Sequence, residues 1–109
     1  MTFKEYQVAA RKTAIYPKDY QVIYPTLGLA GESGEVCEKI KKRIRDFQCD
    51  YSTGVFKDDI IKELGDIMWY ISNLASDLEL DLNKIAVINI NKLQDRQKRN
   101  VLKGSGDSR

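Results

Sequence analysis

Two short stretches of the chain each hold a pair of acids spaced three residues apart. Glu32 and Glu35 form the first pair, and Glu63 and Asp66 form the second. On a helix, residues i and i+3 lie on one face with Cβ atoms roughly 5–6 Å apart, so each stretch presents two carboxylates together. If the two helices pack side by side, four carboxylates converge and repel one another unless a cation lies between them. Hard divalent cations take such oxygen ligands, which predicts a site for Mg²⁺, with Mn²⁺ as the alternative metal.

Glycines surround both acidic pairs, and they separate this site from an ordinary solvated stripe. Acids at this spacing usually face water, so the spacing alone is a weak signal. Gly28, Gly31 and Gly34 flank the first pair, and Gly65 lies inside the second. A glycine in a helix interior costs about 1 kcal/mol relative to alanine. We therefore expect another group to approach these helices closely.

The composition describes a small globular chain, and we expect residues 1–109 to form a single domain. The net charge of +2 is too small to indicate a nucleic acid or a membrane as a partner. No apolar run approaches 18 residues, and the first residues, MTFKEYQ, lack a signal-peptide pattern, so a cytoplasmic location is expected. A chain this short buries only about 60–65% of its unfolded surface, which favours a homo-oligomer.

The residue types that are missing limit the chemistry. The chain has no histidine and only two cysteines, which excludes Ser-His and Cys-His nucleophilic sites and makes a zinc site a poor hypothesis. Cys37 and Cys49 are expected to be reduced thiols, as in other cytoplasmic proteins. Catalysis is left to carboxylates, lysines, tyrosines or a metal.

The periodicity of apolar residues predicts an all-α fold of four to five helices. The four main helices are predicted over about 2–15, 26–47, 58–78 and 82–99. Thr2 with Glu5 predicts a capping box for the first, Pro17 stops it, and Asp81 is the expected N-cap of the fourth. The Gly/Ser-rich tail, 103–109, is expected to be mobile.

The same periodicity predicts which helix faces are buried. On the second helix the face is Leu29, Ser33, Val36, Ile40, Ile44 and Phe47. On the third it is Ile60, Leu64, Ile67, Met68, Ile71, Leu74, Ala75 and Leu78, with a polar flank of Glu63, Asp66, Tyr70, Asn73 and Asp77. On the fourth it is Leu82, Ala86, Ile90 and Leu93.

Some large side chains lie outside these faces. Trp69 lies nearly opposite the core face of its helix, and Val87 and Ile88 lie off the face of theirs. We expect Trp69 to find a second partner, either another subunit or a flat ligand such as a base. Tyr20 and Tyr24 of the connector either form a wall on which a base stacks or pack the connector itself, and packing is the favoured interpretation.

Basic residues occur in two settings. The run of lysines and arginines over 39–45 is interpreted as a solvated helix end, so replacing Lys39 or Lys41 is expected to change little. On the fourth helix, Asn89, Lys92 and Arg96 border an apolar face, where long basic side chains extend outward to water.

The segments GLAGESGEV, KELGDIMWYI and NINKLQDRQKR together resemble the MazG-like nucleotide pyrophosphohydrolases. These belong to the all-α NTP pyrophosphatase superfamily, whose pattern is E-x-x-E, a variable gap and E-x-x-D. The resemblance spans about 27–109, and the closing KGSGDSR is similar to the end of a small, single-domain, often phage-borne branch. Members with two consecutive acids at the first motif have an acid where this chain has Gly31.

The resemblance implies a homodimer or homotetramer that hydrolyses an NTP or dNTP to the monophosphate and pyrophosphate with Mg²⁺. It implies that the four motif acids hold the metal and that three residues of the fourth helix reach the phosphates: Asn89, Lys92 and Arg96.

Several roles stay open at this point. Either Glu32 or Glu35 is expected to take the proton of the attacking water. Base contacts are assigned to Tyr24, Trp69 and Tyr70. The alternative to the enzyme is a non-catalytic helical oligomer that binds a partner or regulates one. The base, the sugar and the phosphorus atom attacked are not predicted.

Overall fold

A capping box starts the first helix, α1 (Phe3–Lys12), as the sequence predicts. In the computed structural model, which describes all 109 residues, the Thr2 hydroxyl accepts from the Glu5 N–H at 3.1 Å. The Glu5 carboxylate accepts in turn from the Thr2 N–H at 3.2 Å. The helix ends at Lys12, earlier than predicted, where the Thr13 hydroxyl donates to the Ala10 carbonyl at 2.8 Å.

The second helix, α2 (Ile23–Phe47), begins at a strained turn. A short 3₁₀ helix, Lys18–Tyr20, comes before it. Val22 then adopts a positive φ of 70°, and the Ile23 N–H donates to the Gln21 carbonyl at 2.8 Å, which defines a γ-turn of the rare type. A β-branched residue pays a steric cost at positive φ, so neighbouring groups must hold this turn in place.

The remaining helices are α3 (Gly54–Asp77) and α4 (Leu82–Lys98). The α3 helix starts before the predicted Asp58 because the Thr53 hydroxyl accepts from the Phe56 N–H at 3.3 Å. The Asp81 carboxylate accepts from the N–H groups at the start of α4, which confirms Asp81 as the N-cap. The chain has four α-helices and no strand, so the all-α class is confirmed.

The α3 helix lies at the centre of the arrangement. It packs along α2 and contacts both α1 and α4, while α4 packs on α1 and α3. The acids of α2 and α3 therefore face each other along one helix pair. None of these helices combines the length and the apolar character that crossing a membrane requires.

A buried carboxylate, Asp77 at the end of α3, joins three segments. Its side chain is 0% exposed and accepts from Arg11 at 2.7 Å and from the Val22 N–H at 2.8 Å. The Tyr16 hydroxyl bonds the same carboxylate at 2.8 and 2.9 Å. The carboxyl-terminal half of the polar flank predicted for α3 is thus buried, since Asn73 is fully enclosed as well. Asp77 holds the strained turn at Val22 in position.

The predicted core faces are only partly buried, and this corrects the sequence-based assignment. Several of their members are exposed: Ile44, Phe47, Leu64, Met68, Ile71, Leu78, Ile90 and Leu93. Val87 and Ile88 are exposed too, as predicted. The Cα radius of gyration is 16.9 Å, compared with roughly 13 Å for a compact chain of this length. Four helices in this open arrangement do not supply enough layers to cover both sides of α3.

The tail, residues 103–109, makes hydrogen bonds in the structure, and its mobility stays a prediction. Arg109 donates to the carbonyls of Gly106, Leu102 and Val101 at 2.7–3.1 Å. Gly104 and Gly106 have positive φ angles of 117° and 89°, which allow the chain to turn back. The tail therefore folds against the end of α4.

Candidate functional site

Three of the four motif carboxylates converge between α2 and α3. Glu32, Glu63 and Asp66 each bring an oxygen within 4.8 Å of the others, and we call this group the acidic cluster. Glu32 and Glu63 are half-buried and Asp66 is exposed. Glu35 is exposed and lies outside the group. The side-by-side packing predicted from the i, i+3 pairs is therefore present, with three acids in close contact rather than four.

The carboxylates of the acidic cluster repel one another, and a cation between them would relieve that repulsion. The pKa of Glu32 is raised, first by burial and then by the close approach of the Glu63 carboxyl. The negative charges of Asp66, Glu63 and Glu35 raise it further. Ionising a carboxyl beside other acids costs free energy, and a cation bound between these acids removes that cost.

The residues present fit a divalent metal. Oxygen donors from three carboxylates, close enough to share one ion, match the preference of Mg²⁺ for one or two carboxylates plus water and phosphate oxygens. No sulfur or imidazole lies in the group, so it does not favour a softer metal.

One glycine beside the acidic cluster has the close neighbour that the sequence predicts. A methyl group on Gly28 would overlap the ring of Tyr70, so the absence of a side chain lets Tyr70 lie across α2. A methyl group at Gly31, Gly34 or Gly65 would have no atom within 4 Å. Within one chain, the expectation of close approach holds at Gly28 alone, and the other three leave helix surface open.

We expect Gly28→Ala to lower the free energy of unfolding by about 1–3 kcal/mol, because the Tyr70 ring must move and overpacking outweighs the gain in helix propensity. Gly31→Ala is the matched control on the same helix. It should raise stability by about 0.5–1 kcal/mol, since its Cβ meets open space. Urea unfolding of both variants measures this, and equal stabilisation by the two changes would contradict the Gly28–Tyr70 contact.

An aromatic group adjoins the acidic cluster. Tyr24 stacks on Tyr16 with ring centroids 4.8 Å apart and planes at 15°, and it lies 6.3 Å from Tyr70. Burial, then Tyr24 and then the charge of Glu32 raise the pKa of the Tyr70 hydroxyl. The stacking agrees with the packing interpretation of Tyr24, although both Tyr24 and Tyr20 are still exposed.

Trp69 makes contacts within its own chain, and the expected second partner, another subunit or a ligand, stays a prediction. Its indole Nε1 donates to the Thr13 hydroxyl at 2.7 Å, and its ring meets Tyr16 edge to face at 6.4 Å. Within one chain, the end of α1 and the connector thus cover part of Trp69, which stays partly exposed. The sequence pattern identified the second face of α3 without identifying what covers it.

Comparison with known proteins agrees with this geometry. Residues 25–101 match the family model of the MazG nucleotide pyrophosphohydrolase domain. The chain belongs to the MazG family. It is also 46% identical over 110 residues to the Gene 37 protein of Mycobacterium phage L5, which covers 95% of this chain and 96% of that protein. No solved structure matches the chain.

None of the three residues of α4 assigned to phosphate forms an ion pair with the acidic cluster within one MazG chain, whose only such pair is that of Lys39 with Glu63. Asn89 is exposed. Lys92 and Arg96 both lie 3.3 Å from the Asp107 carboxylate, and Arg96, only 5% exposed, also donates to the Asp107 carbonyl at 2.7 Å. Asp107 lies outside the residues matched to the MazG domain. A phosphate that binds Lys92 and Arg96 must displace the Asp107 carboxylate from them.

Two lysines of α2 that the sequence treats alike differ in the structure. Lys41 is exposed and pairs with Glu38 at 2.9 Å, as expected for a solvated helix end. Lys39 is 31% exposed, and its Nζ lies 3.4 Å from Glu63 Oε1. The interpretation of Lys39 as solvated is therefore wrong, because the register between α2 and α3 places it against the acidic cluster.

Sequence reasoning missed two residues near the site of the MazG domain. Tyr6 of α1 has a pKa raised by burial and then by the charge of Asp66, so its hydroxyl lies within electrostatic range of the acidic cluster. Lys39 contacts Glu63 across the helix pair. Neither contact has a local sequence signal, because both depend on how separate helices are aligned.

Proposed function

We propose that this MazG protein is a metal-dependent nucleoside triphosphate pyrophosphohydrolase. Its reaction converts an NTP or dNTP and water to the monophosphate and pyrophosphate. The observation that carries the proposal is the convergence of Glu32, Glu63 and Asp66 within 4.8 Å in a domain of this family. We assign the whole chain, residues 1–109, to one such domain working in the cytoplasm, with both cysteines as free thiols.

The three clustered acids are the proposed metal ligands, and Glu35 is the fourth when its side chain turns toward them. A bound Mg²⁺, or Mn²⁺, would neutralise phosphate charge and lower the pKa of a water molecule. Glu35 lies outside the cluster but close enough to raise the pKa of Glu32. Since Glu35 is exposed and lies outside the cluster, we propose that it accepts the proton of the attacking water when it is not itself bound to the metal, while Glu32 serves the metal.

The aromatic group is the proposed site for the base. Tyr24 and Tyr70 present rings next to the acidic cluster, and Tyr24 is exposed. Trp69 contacts Tyr70 edge to face at 5.1 Å and fixes its orientation. An exposed ring beside a phosphate site offers a stacking surface to any base, so this arrangement does not select one base.

Asn89, Lys92 and Arg96 are the proposed contacts to the phosphates. Phosphoryl transfer depends mainly on positioning and charge neutralisation, and the acidic cluster and the triphosphate both carry negative charge. Because no residue of this stripe pairs with the acidic cluster within one chain, we propose that the stripe of a second copy supplies these contacts. This proposal links the phosphate contacts to the assembly of the protein.

We expect Lys92→Ala and Arg96→Ala each to lower kcat/KM by about 1.5–3 kcal/mol of transition-state binding, the range for a lost charge-assisted hydrogen bond. Lys98→Ala, two residues beyond Arg96 in the last turn of α4, is the matched control and should leave the kinetics unchanged. Steady-state kinetics of the three variants tests this. Normal activity in both Lys92→Ala and Arg96→Ala would remove α4 from the site.

We propose assembly into a homodimer or homotetramer because large apolar faces are exposed. Large apolar residues on both α3 and α4 lack cover, including Leu64, Met68, Val87 and Ile88. Contiguous exposed apolar surface on a small protein marks an interaction site. Sedimentation velocity at micromolar concentration should give a species of at least twice the 12.5 kDa chain mass. A 12.5 kDa species would contradict this proposal.

The alternative function is a non-catalytic helical oligomer that binds a partner, and the exposed apolar faces favour it as the second candidate. Release of pyrophosphate from a panel of ribo- and deoxynucleoside triphosphates, with Mg²⁺, with Mn²⁺ and with a chelator, separates the two. The enzyme predicts metal-dependent release from at least one substrate. No release from any substrate would leave the binding protein as the function.

A further inference from the structure

One cavity on the α2–α3 pair is not used by the proposed metal and base sites. It has a volume of about 260 Å³ and lies between the last turns of α2 and the start of α3. We call it the basic groove, and its lining includes Lys39, Lys42, Arg43, Phe47, Phe56 and Asp59. Three cations face a single acid here, so the basic groove favours an anion.

Lys39 connects the basic groove to the acidic cluster. Its ammonium group lies 3.4 Å from Glu63 Oε1, and its side chain also lines the groove. No other lysine or arginine forms an ion pair with an acid of the cluster. An anion that extends from the acidic cluster along α2 therefore meets Lys39 first and Lys42 next.

Arg43 shows that the basic groove is a built site rather than a group of surface lysines. It is 8% exposed, and its guanidinium lies 4.1 Å from the ring centroid of Phe47 and 4.9 Å from that of Phe56. Its one side-chain hydrogen bond joins Nη2 to the Thr53 hydroxyl, and its buried Nε has no acceptor. A planar cation that is held by two rings and lines the groove is suited to a phosphate oxygen.

The size of the basic groove limits what it takes. Sites for whole drug-sized ligands occupy about 300–1,000 Å³, so this groove suits one or two phosphate groups rather than a complete nucleotide. We propose that the basic groove binds the terminal phosphates of the substrate and therefore the leaving pyrophosphate. This inference rests on the proposed function for the identity of the anion. The stripe on α4 then serves the rest of the triphosphate.

The experiment is a calorimetric titration of inorganic pyrophosphate into the metal-free protein, in chelator, so that no metal bridge contributes. Lys42→Ala is the main variant because Lys42 forms no ion pair and its loss leaves the acidic cluster intact. It should weaken pyrophosphate binding about tenfold. Lys41→Ala, its exposed neighbour, removes the same charge outside the groove and should leave the binding constant unchanged.

Equal weakening by Lys41→Ala and Lys42→Ala would reduce the effect to general surface charge and overturn the proposal. Absence of pyrophosphate binding would also overturn it. A titration with a nucleoside monophosphate should show no difference between wild type and Lys42→Ala, and a loss there would assign the groove to the nucleoside instead. In turnover assays, Lys42→Ala should raise the inhibition constant of pyrophosphate about tenfold.

These outcomes separate this inference from the proposed function. If the protein releases no pyrophosphate from any triphosphate but binds inorganic pyrophosphate through Lys42, the hydrolase proposal fails and the anion site stands. If the protein is an active hydrolase and Lys42→Ala behaves like Lys41→Ala, the hydrolase proposal stands and the basic groove is not its pyrophosphate site.

Discussion

Asp66→Asn should lower turnover by about 10²–10³-fold, the cost of removing a group that acts on developing charge in an active site. The change replaces one carboxylate of the acidic cluster with an amide of nearly the same shape, so the helices should keep their packing. Glu38→Gln is the matched control, because Glu38 lies further along α2 and pairs with Lys41 rather than with the cluster. Initial rates at limiting Mg²⁺ measure both, and full activity in Asp66→Asn would show that the cluster does not hold the catalytic metal.

The same variant should be at least as stable as the wild type when metal is absent, because repulsion within the acidic cluster is relieved. The raised pKa of Glu32 gives the sign of the pH dependence. The folded protein holds this proton more tightly than the unfolded chain does, so stability falls as pH rises from the ordinary value of 4.5 through the raised value. Asp66→Asn should reduce that dependence, which thermal unfolding across pH 4–7 would detect.

Asp77→Asn should lower the free energy of unfolding by about 2–4 kcal/mol. Breaking a buried ion pair costs roughly 3–5 kcal/mol, and the lower range applies because Arg11 is 37% exposed and can reach water. Arg11, Tyr16 and Val22 all donate hydrogen bonds to the Asp77 carboxylate. The NH₂ group of an asparagine side chain would face at least one of these donors and could not accept its hydrogen bond. Asp46→Asn is the control, since that carboxylate is exposed and pairs only with its neighbour Arg45.

The Asp77 variant should also lose activity, because the strained turn at Val22 sets the start of α2 and with it Glu32. Burial alone would raise the pKa of Asp77, but the hydrogen bonds from Val22, Arg11 and Tyr16 outweigh it and lower the pKa. Its contribution to stability is therefore complete above the ordinary value of 3.8 and is lost as pH falls through the lowered value. A stability equal to that of Asp46→Asn would contradict the anchoring role.

Local signals in the sequence predicted the helices well. The Thr2 capping box and the Asp81 N-cap are both present, since each depends on residues two or three positions apart. The i, i+3 spacing of the acids predicted which faces of α2 and α3 meet. The helix start at Ile23 was missed because it depends on a γ-turn, whereas the start at Gly54 has a local signal, the Thr53 cap, that the prediction overlooked.

Contacts between distant segments could not be predicted in this way. Lys39 and Lys41 have the same residue type and similar local sequence, yet only Lys39 reaches Glu63, because the register of α2 against α3 decides it. Asp107 reaches Lys92 and Arg96 only after the tail turns back at two glycines with positive φ. The predicted core faces of α3 and α4 followed from periodicity, which gives the apolar side of a helix but not what covers it.

The most direct test of the hydrolase is a ³¹P NMR experiment that follows one nucleoside triphosphate that the substrate panel has identified. With Mg²⁺, the triphosphate resonances should be replaced by those of a monophosphate and pyrophosphate in equal amounts. Asp66→Asn at the same concentration should leave the triphosphate intact over that period. Formation of the diphosphate and orthophosphate by the wild type, or equal turnover by Asp66→Asn, would contradict a pyrophosphohydrolase site built on Glu32, Glu63 and Asp66.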